Sequence, residues 1–118
     1  MNLLIVDDNA AIRRLIADIA TTFADQIREC ADGTDAISAY NAQRPDLVLM
    51  DIRMAEVDGI EATRRIRSVD PTARIVMLTD YDDDALRQAA LRAGASGYEL
   101  KDNLLGLVRW FEGIGENP

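Results

Sequence analysis

The hydrophobic and polar positions of the chain fall into alternating blocks of two kinds. Leu47-Val48-Leu49-Met50 is four apolar residues in succession, with none of the alternation of a strand wet on one face. Such a run suits a central parallel strand covered on both sides. It stops at a single carboxylate, Asp51, and gives way to a loop marked by Asp58-Gly59. Leu3-Leu4-Ile5-Val6 runs in the same way into Asp7-Asp8, Ala73 to Leu78 into Thr79, and about Ser96 to Leu100 into Lys101. A further short strand is expected over Gln26 to Ala31, closed by the turn signal Asp32-Gly33. Between these runs the period changes to that of a helix. Ile12, Leu15, Ile16, Ile19 and Phe23 share one face, leaving Arg13, Arg14 and Asp18 to solvent. Ala36, Ile37, Ala39 and Tyr40 form a second face, and Ile60, Thr63 and Ile66 a third. Leu86, Ala89, Ala90 and Ala93 make a fourth, and Leu104, Leu107, Val108 and Phe111 a fifth.

The punctuation agrees with this division. The second helix must end before Pro45, because proline disfavours helical geometry in the residue before it, and Asp70-Pro71 marks the next break. Asp82-Asp83-Asp84 places carboxylates at the positive end of the fourth helix, Gly94 is set to cap its far end, and Gly113 and Gly115 are expected to finish the fifth. Five strands alternating with five helices across short connections call for a doubly wound α/β domain, a parallel sheet with helices on both faces.

Composition narrows the function. A chain of 118 residues fits one domain, here taken as 1–118. Thirteen basic against twenty-one acidic residues give a formal net charge of -8, which opposes direct binding to nucleic acid or to anionic lipid. No apolar run is long enough to span a bilayer, and no signal peptide is evident. With the single cysteine, Cys30, read as a small apolar strand residue, the expected setting is reducing and cytoplasmic. The absence of histidine excludes histidine-based nucleophile relays and ordinary zinc sites.

Chemistry is then left to carboxylates, hydroxyls and amines, and these gather at the strand ends. In an open parallel sheet ligands bind beyond the carboxyl ends of the strands. If the strands are neighbours, Asp7, Asp8, Asp51, Thr79 and Lys101 converge there. Three close carboxylates repel, and a hard divalent cation such as Mg²⁺ holds them together unprotonated. Asp51 could attack phosphorus, while Lys101 and Thr79 donate to the oxygens of the acyl phosphate. Taken singly, each residue has an ordinary use: Asp7-Asp8 as a helix cap, Asp51 as a turn residue, Thr79 and Lys101 as surface positions. Their joint placement makes the argument.

Those residues form a known pattern. Leu4-Ile5-Val6-Asp7-Asp8, Pro45 through Met54, Asp58-Gly59, Leu78-Thr79 and Gly97-Tyr98-Glu99-Leu100-Lys101 occur in the order of the motifs of a bacterial two-component response regulator receiver domain, which the chain resembles over nearly its whole length. The resemblance implies a flavodoxin-like sheet of order 2-1-3-4-5. It implies that Asp51 is the phospho-acceptor, served by a sensor histidine kinase or a small phosphodonor, with limited self-phosphorylation and autodephosphorylation. Mg²⁺ would be held by Asp7 or Asp8 with Asp51 and the Arg53 backbone carbonyl. Lys101 would contact the phosphoryl group. Thr79 and Tyr98 would be the switch pair, Thr79 drawn inward by the phosphoryl group and the Tyr98 ring following, so that the surface of helix 4, strand 5 and helix 5 changes.

Three positions depart from the family pattern. Ala55 stands where many members have proline, and Asp80 follows Thr79 where a small residue is usual. Both are expected to modulate the site. Asp102, in place of proline after Lys101, is similar to receivers joined to a helix-turn-helix DNA-binding domain, so the chain is expected to be cut from a longer transcription regulator rather than to stand alone. Leu105 and Trp110 widen the apolar face of the last helix, which serves either the core alone or a homodimer or output-domain contact. Two rival functions remain: a degenerate receiver that scaffolds partners without phosphorylation, and an aspartyl-nucleophile phosphohydrolase, which needs a second aspartate where Arg53 stands.

Overall fold

The computed structural model describes residues 1–116. The chain runs β1 (Asn2–Val6), α1 (Ala10–Ala20), β2 (Gln26–Cys30), α2 (Gly33–Ala42), β3 (Leu47–Met50), α3 (Gly59–Val69), β4 (Ile75–Thr79), α4 (Asp84–Ala93), β5 (Gly97–Leu100) and α5 (Leu104–Glu116). The five strands form one sheet of order β2-β1-β3-β4-β5, with every neighbouring pair parallel. This is the doubly wound, flavodoxin-like order.

The unbroken apolar strands follow from packing on both faces. Leu4, Val6, Val48, Met50, Ile75 and Met77 join one core with residues of α2, α3 and α4. Their alternating neighbours Leu3, Ile5, Leu47, Leu49, Val76 and Leu78 join a second core with α1 and α5, where Leu107 and Phe111 are fully covered. Each buried aliphatic side chain is worth roughly 1.5–3 kcal/mol relative to exposure. A one-residue slip of β3 would therefore exchange its two cores and misplace Asp51.

The helix ends are held locally. Asn9, Asp32, Asp58 and Asp83 are N-caps whose side chains accept from backbone amides two to three positions further along the chain. Gly94 caps α4 with a left-handed φ of 106°, which glycine adopts freely. Tyr40 of α2 donates to Asp70 at 2.6 Å, tying α2 to the end of α3.

Several expectations are corrected. Leu15 is 47 % exposed at the flank of α1, and Ala20, 0 % exposed, completes the inward line with Ile16. Leu15 lies off the line of Ile16 and Ala20, turned toward α5, where it lines a small cavity with Leu104 and Leu107. α1 ends at Ala20, so Phe23 belongs to the following turn, where its ring lies 5.6 Å from that of Phe111. Arg13 is not solvated: its guanidinium donates to the Asp7 carbonyl at 2.6 Å and pairs with Glu29 at 3.1 Å. Leu104 is 40 % exposed at the first turn of α5. The glycines do not finish α5, which continues through Gly113 and Gly115 to Glu116 because no left-handed cap interrupts it. Among the described residues no helix is long and apolar enough to cross a membrane.

Candidate functional site

Because β1, β3, β4 and β5 are consecutive neighbours, their carboxyl ends deliver Asp7, Asp51, Thr79 and Lys101 to one edge. The parallel ladder carries on past the strands: Asp51 N–H donates to the Val6 carbonyl at 2.8 Å, and Lys101 N–H to the Thr79 carbonyl at 2.8 Å. The backbone around the site is thus as fixed as the sheet.

Oxygens of Asp7, Asp8 and Asp51 lie within 4.8 Å of one another. Asp7 and Asp51 are buried and Asp8 is exposed, so the cluster opens to solvent on one side. The Lys101 ammonium reaches between the two buried acids, 2.8 Å from Asp7 Oδ2 and 3.4 Å from Asp51 Oδ1. Burial first, then the Asp7 charge, pushes the Asp51 carboxyl up to about 6, against the pull of Lys101. For Lys101 itself burial acts downward, but the Asp7 and Asp51 carboxylates outweigh it and raise the ammonium above its ordinary value, with Asp80 adding from the exposed rim.

One detail bears on a metal. Asp7 Oδ1 accepts from the Asn9 amide at 2.9 Å, while Asp7 Oδ2 is buried and lacks a hydrogen-bond partner, its contact with Lys101 being ionic and poorly directed. A buried carboxylate oxygen with spare lone pairs, beside two more carboxylates and an ammonium already shared, fits a hard divalent cation. Arg53, whose backbone carbonyl the resemblance adds to this set, is exposed beside Asp51. With Asp8, Ile52, Met54, Asp58, Ile60 and Leu86 it lines a cleft of about 420 Å³.

The loop after Asp51 is shaped by two backbone features. Gly59 opens α3 so close to Asp51 that a Cβ there would stand 1.9 Å from the Asp51 carbonyl oxygen, and its N–H donates to the Ile52 carbonyl at 2.8 Å. Ala55 is exposed and immediately precedes Glu56, which takes a left-handed φ of 63°.

Thr79 is buried, and its Oγ1 accepts from the Tyr81 N–H at 3.1 Å. The Tyr98 ring is also buried, with its hydroxyl donating to the Tyr81 carbonyl at 2.6 Å. The ring therefore already occupies the inward position. Its burial raises the phenol above the ordinary tyrosine value, with Arg87 acting the other way.

Two contributors were not read from the sequence. The exposed Tyr81 lies under the Arg53 guanidinium, 4.7 Å from the ring centroid. Arg87 of α4 covers the Tyr98 ring at 4.5 Å and pairs with Asp82 at 3.3 Å. Arg53–Tyr81 joins two loops and Arg87–Tyr98 joins α4 to β5, so neither contact carries a sequence period; an aromatic residue two positions after Thr79 was the only available signal. On α5, Leu105 is 63 % exposed. Trp110 instead lies against Gly97 and donates from its indole to Glu99 at 3.0 Å, so β5 already occupies part of its ring.

Residues 3–106 match the family described as the response regulator receiver domain. The chain belongs to that family. This receiver is 36 % identical over 99 residues to the chemotaxis protein CheY of Thermotoga maritima, covering 83 % of this chain and 82 % of that protein. A two-component response regulator of the LuxR family from Aurantimonas sp. SI85-9A1 superposes with a TM-score of 0.88 at 34 % identity, over 96 % of this chain and 83 % of the other. The CheX-CheY-BeF3-Mg²⁺ complex from Borrelia burgdorferi gives 0.82 at 27 % identity, over 93 % and 87 %. Against a transcriptional regulatory protein of Bacillus subtilis, 38 % identical over 104 residues, the match covers 86 % of this receiver but only 49 % of the relative.

Proposed function

We propose that the chain is a phosphorylation-activated switch with Asp51 as its phospho-acceptor and that residues 1–118 form one receiver domain. An Asp51 carboxylate oxygen attacks phosphorus of a phosphohistidine in a sensor histidine kinase, or of a small acyl phosphate. The bond from phosphorus to the donor breaks, the donor leaves with that electron pair, and Asp51 becomes an acyl phosphate. A carboxyl pushed up to about 6 is still largely ionised near neutral pH, and is a better nucleophile than one of ordinary pKa. The Lys101 ammonium moves from the ion pair with Asp51 to a phosphoryl oxygen, and the Thr79 hydroxyl, which accepts from Tyr81, keeps its own proton free to donate. Mg²⁺, held by Asp7, Asp8, Asp51 and the Arg53 carbonyl, would offset the negative charge of carboxylates and phosphoryl group.

The observation carrying this reading is the Lys101 ammonium shared between two buried aspartates at the ends of β1 and β3. The likeness to a CheY solved with BeF3 and Mg²⁺ supports it. Tyr98 transmits the state: phosphorylation stabilises its inward position and the corresponding α4-β5-α5 surface, which meets a second copy or an output domain. A regulatory relative about twice the matched length and a LuxR-family structural neighbour support a transcriptional output through a further domain; as a receiver served by a histidine kinase, the chain is assigned to the cytoplasm on this reading. Asp80 and Ala55 tune the rates. A carboxylate acting on Lys101 from the rim repels an anionic donor, so Asp80→Ala changes the rate of phosphorylation or dephosphorylation; equal rates for both proteins would dispose of that role. For the whole reading, the chain is incubated with Mg²⁺ and acetyl phosphate and weighed intact. A single phosphate adduct, absent from Asp51→Asn and from samples with chelator, supports the switch, and no adduct favours a phosphorylation-independent scaffold.

A further inference from the structure

The loop between β4 and α4 makes contacts that the motifs alone do not describe. Tyr81 uses both its backbone groups on the switch pair: its N–H goes to Thr79 Oγ1 at 3.1 Å, and its carbonyl accepts from the Tyr98 hydroxyl at 2.6 Å. The open face of the Tyr98 ring is not left to solvent. The Arg87 guanidinium lies 4.5 Å from its centroid and is steadied there by Asp82, 3.3 Å away in the same loop. Asp83, the next residue, caps α4 at Leu86, so the helix that carries Arg87 is anchored to the loop it grips. A cation over a π face attracts the ring, and the arginine stem adds apolar cover. Both contacts are made with Tyr98 inside.

We propose that Arg87 is a positioning residue: with Asp82 it latches the Tyr98 ring inward, so that the output-competent arrangement is favoured before any phosphoryl group is attached. The latch rests on the reading of Tyr98 as the switch residue. Because a phosphoryl group on Asp51 and the latch favour the same ring position, each makes the other easier to form. A part-exposed cation–π contact supports about a three-fold change in the ratio of inward to outward ring. Asp82 contributes by orientation, so its removal has a smaller effect in the same direction.

The test uses the full chain labelled with 3-fluorotyrosine, with the Tyr98 resonance assigned by Tyr98→Phe, and follows that resonance with Mg²⁺ before and during titration with beryllofluoride. In Arg87→Met the ratio of inward to outward ring falls about three-fold relative to wild type. Arg87→Lys recovers part of the loss, and Asp82→Ala lies between wild type and Arg87→Met. The half-saturating beryllofluoride concentration rises in Arg87→Met by no more than that same factor, because the mimic must bind a less populated state. A Tyr98 resonance in Arg87→Met identical with wild type would overturn the latch, as would a loss that Arg87→Lys leaves unrestored. If beryllofluoride fails to distinguish wild type from Asp51→Asn, the acceptor reading fails instead, and the unliganded spectra still decide the latch.

Discussion

At the scale of single residues, the site is a place where charge is held against its preference. With its carboxyl pushed up to about 6, folded Asp51 binds protons between about pH 4 and about pH 6 that the unfolded chain has released, so its ionisation lowers stability as pH rises through that window. In chelated, metal-free buffer Asp51→Asn is therefore expected to gain about 1–2 kcal/mol near neutral pH, a figure reduced for the open side of the site, and the gain should shrink toward about pH 4. Urea denaturation at several pH values reads this directly. Asp70 has the opposite sign. Hydrogen bonds from Thr72 and Tyr40 hold its carboxyl down to about 2, so it stabilises the fold above the ordinary carboxylate range and loses that effect as pH falls through about 2. Thermal melts of Asp70→Asn should show a penalty at neutral pH that disappears in strong acid. Asp7, Asp8, Asp51, Thr79 and Lys101 were legible because each ends or follows an apolar run. Tyr81, Arg87 and the Tyr40–Asp70 pair were not, since their meaning lies in contacts between elements that no spacing records.

At the scale of elements, two glycines hold geometry that a side chain would break. Gly94→Ala puts a Cβ into a left-handed cap and 2.8 Å from Arg67 Nε; the backbone strain alone costs about 1–2 kcal/mol, and the arginine can move aside. Gly59→Ala has no such outlet, because the obstructing atom is the Asp51 carbonyl oxygen itself. Roughly 2–3 kcal/mol of stability should be lost, together with a slower acetyl phosphate reaction. Chemical denaturation beside adduct kinetics separates the variants, since Gly94→Ala leaves the acceptor backbone in place. Strand and helix order was readable because strands buried on both faces need unbroken apolar runs and helices packed on a sheet need a stripe. The failures were local. Leu15 sits within the period of α1 yet at its flank, and Arg13, polar by composition, is drawn in by the Asp7 carbonyl and Glu29. Gly113 and Gly115 resembled stops, but without a left-handed cap the helix ran on.

At the scale of the whole molecule, the sheet order turns four separate strand ends into one site, and a net charge of -8 makes cation binding a natural companion of folding. A ligand at free concentration L that binds only the native state stabilises it by RT ln(1 + L/Kd), so Mg²⁺ should raise the melting temperature of wild type and do so much less for Asp7→Asn. The central claim concerns one atom group, the Asp51 carboxylate, and its most direct test locates the phosphoryl group itself. After reaction with acetyl phosphate and Mg²⁺, borohydride reduces an acyl phosphate to an alcohol, which peptide mass mapping can place. The account predicts homoserine in place of Asp51 and unmodified Asp7 and Asp8. Reduction at Asp7 or Asp8, or a chain with every aspartate intact, would contradict it.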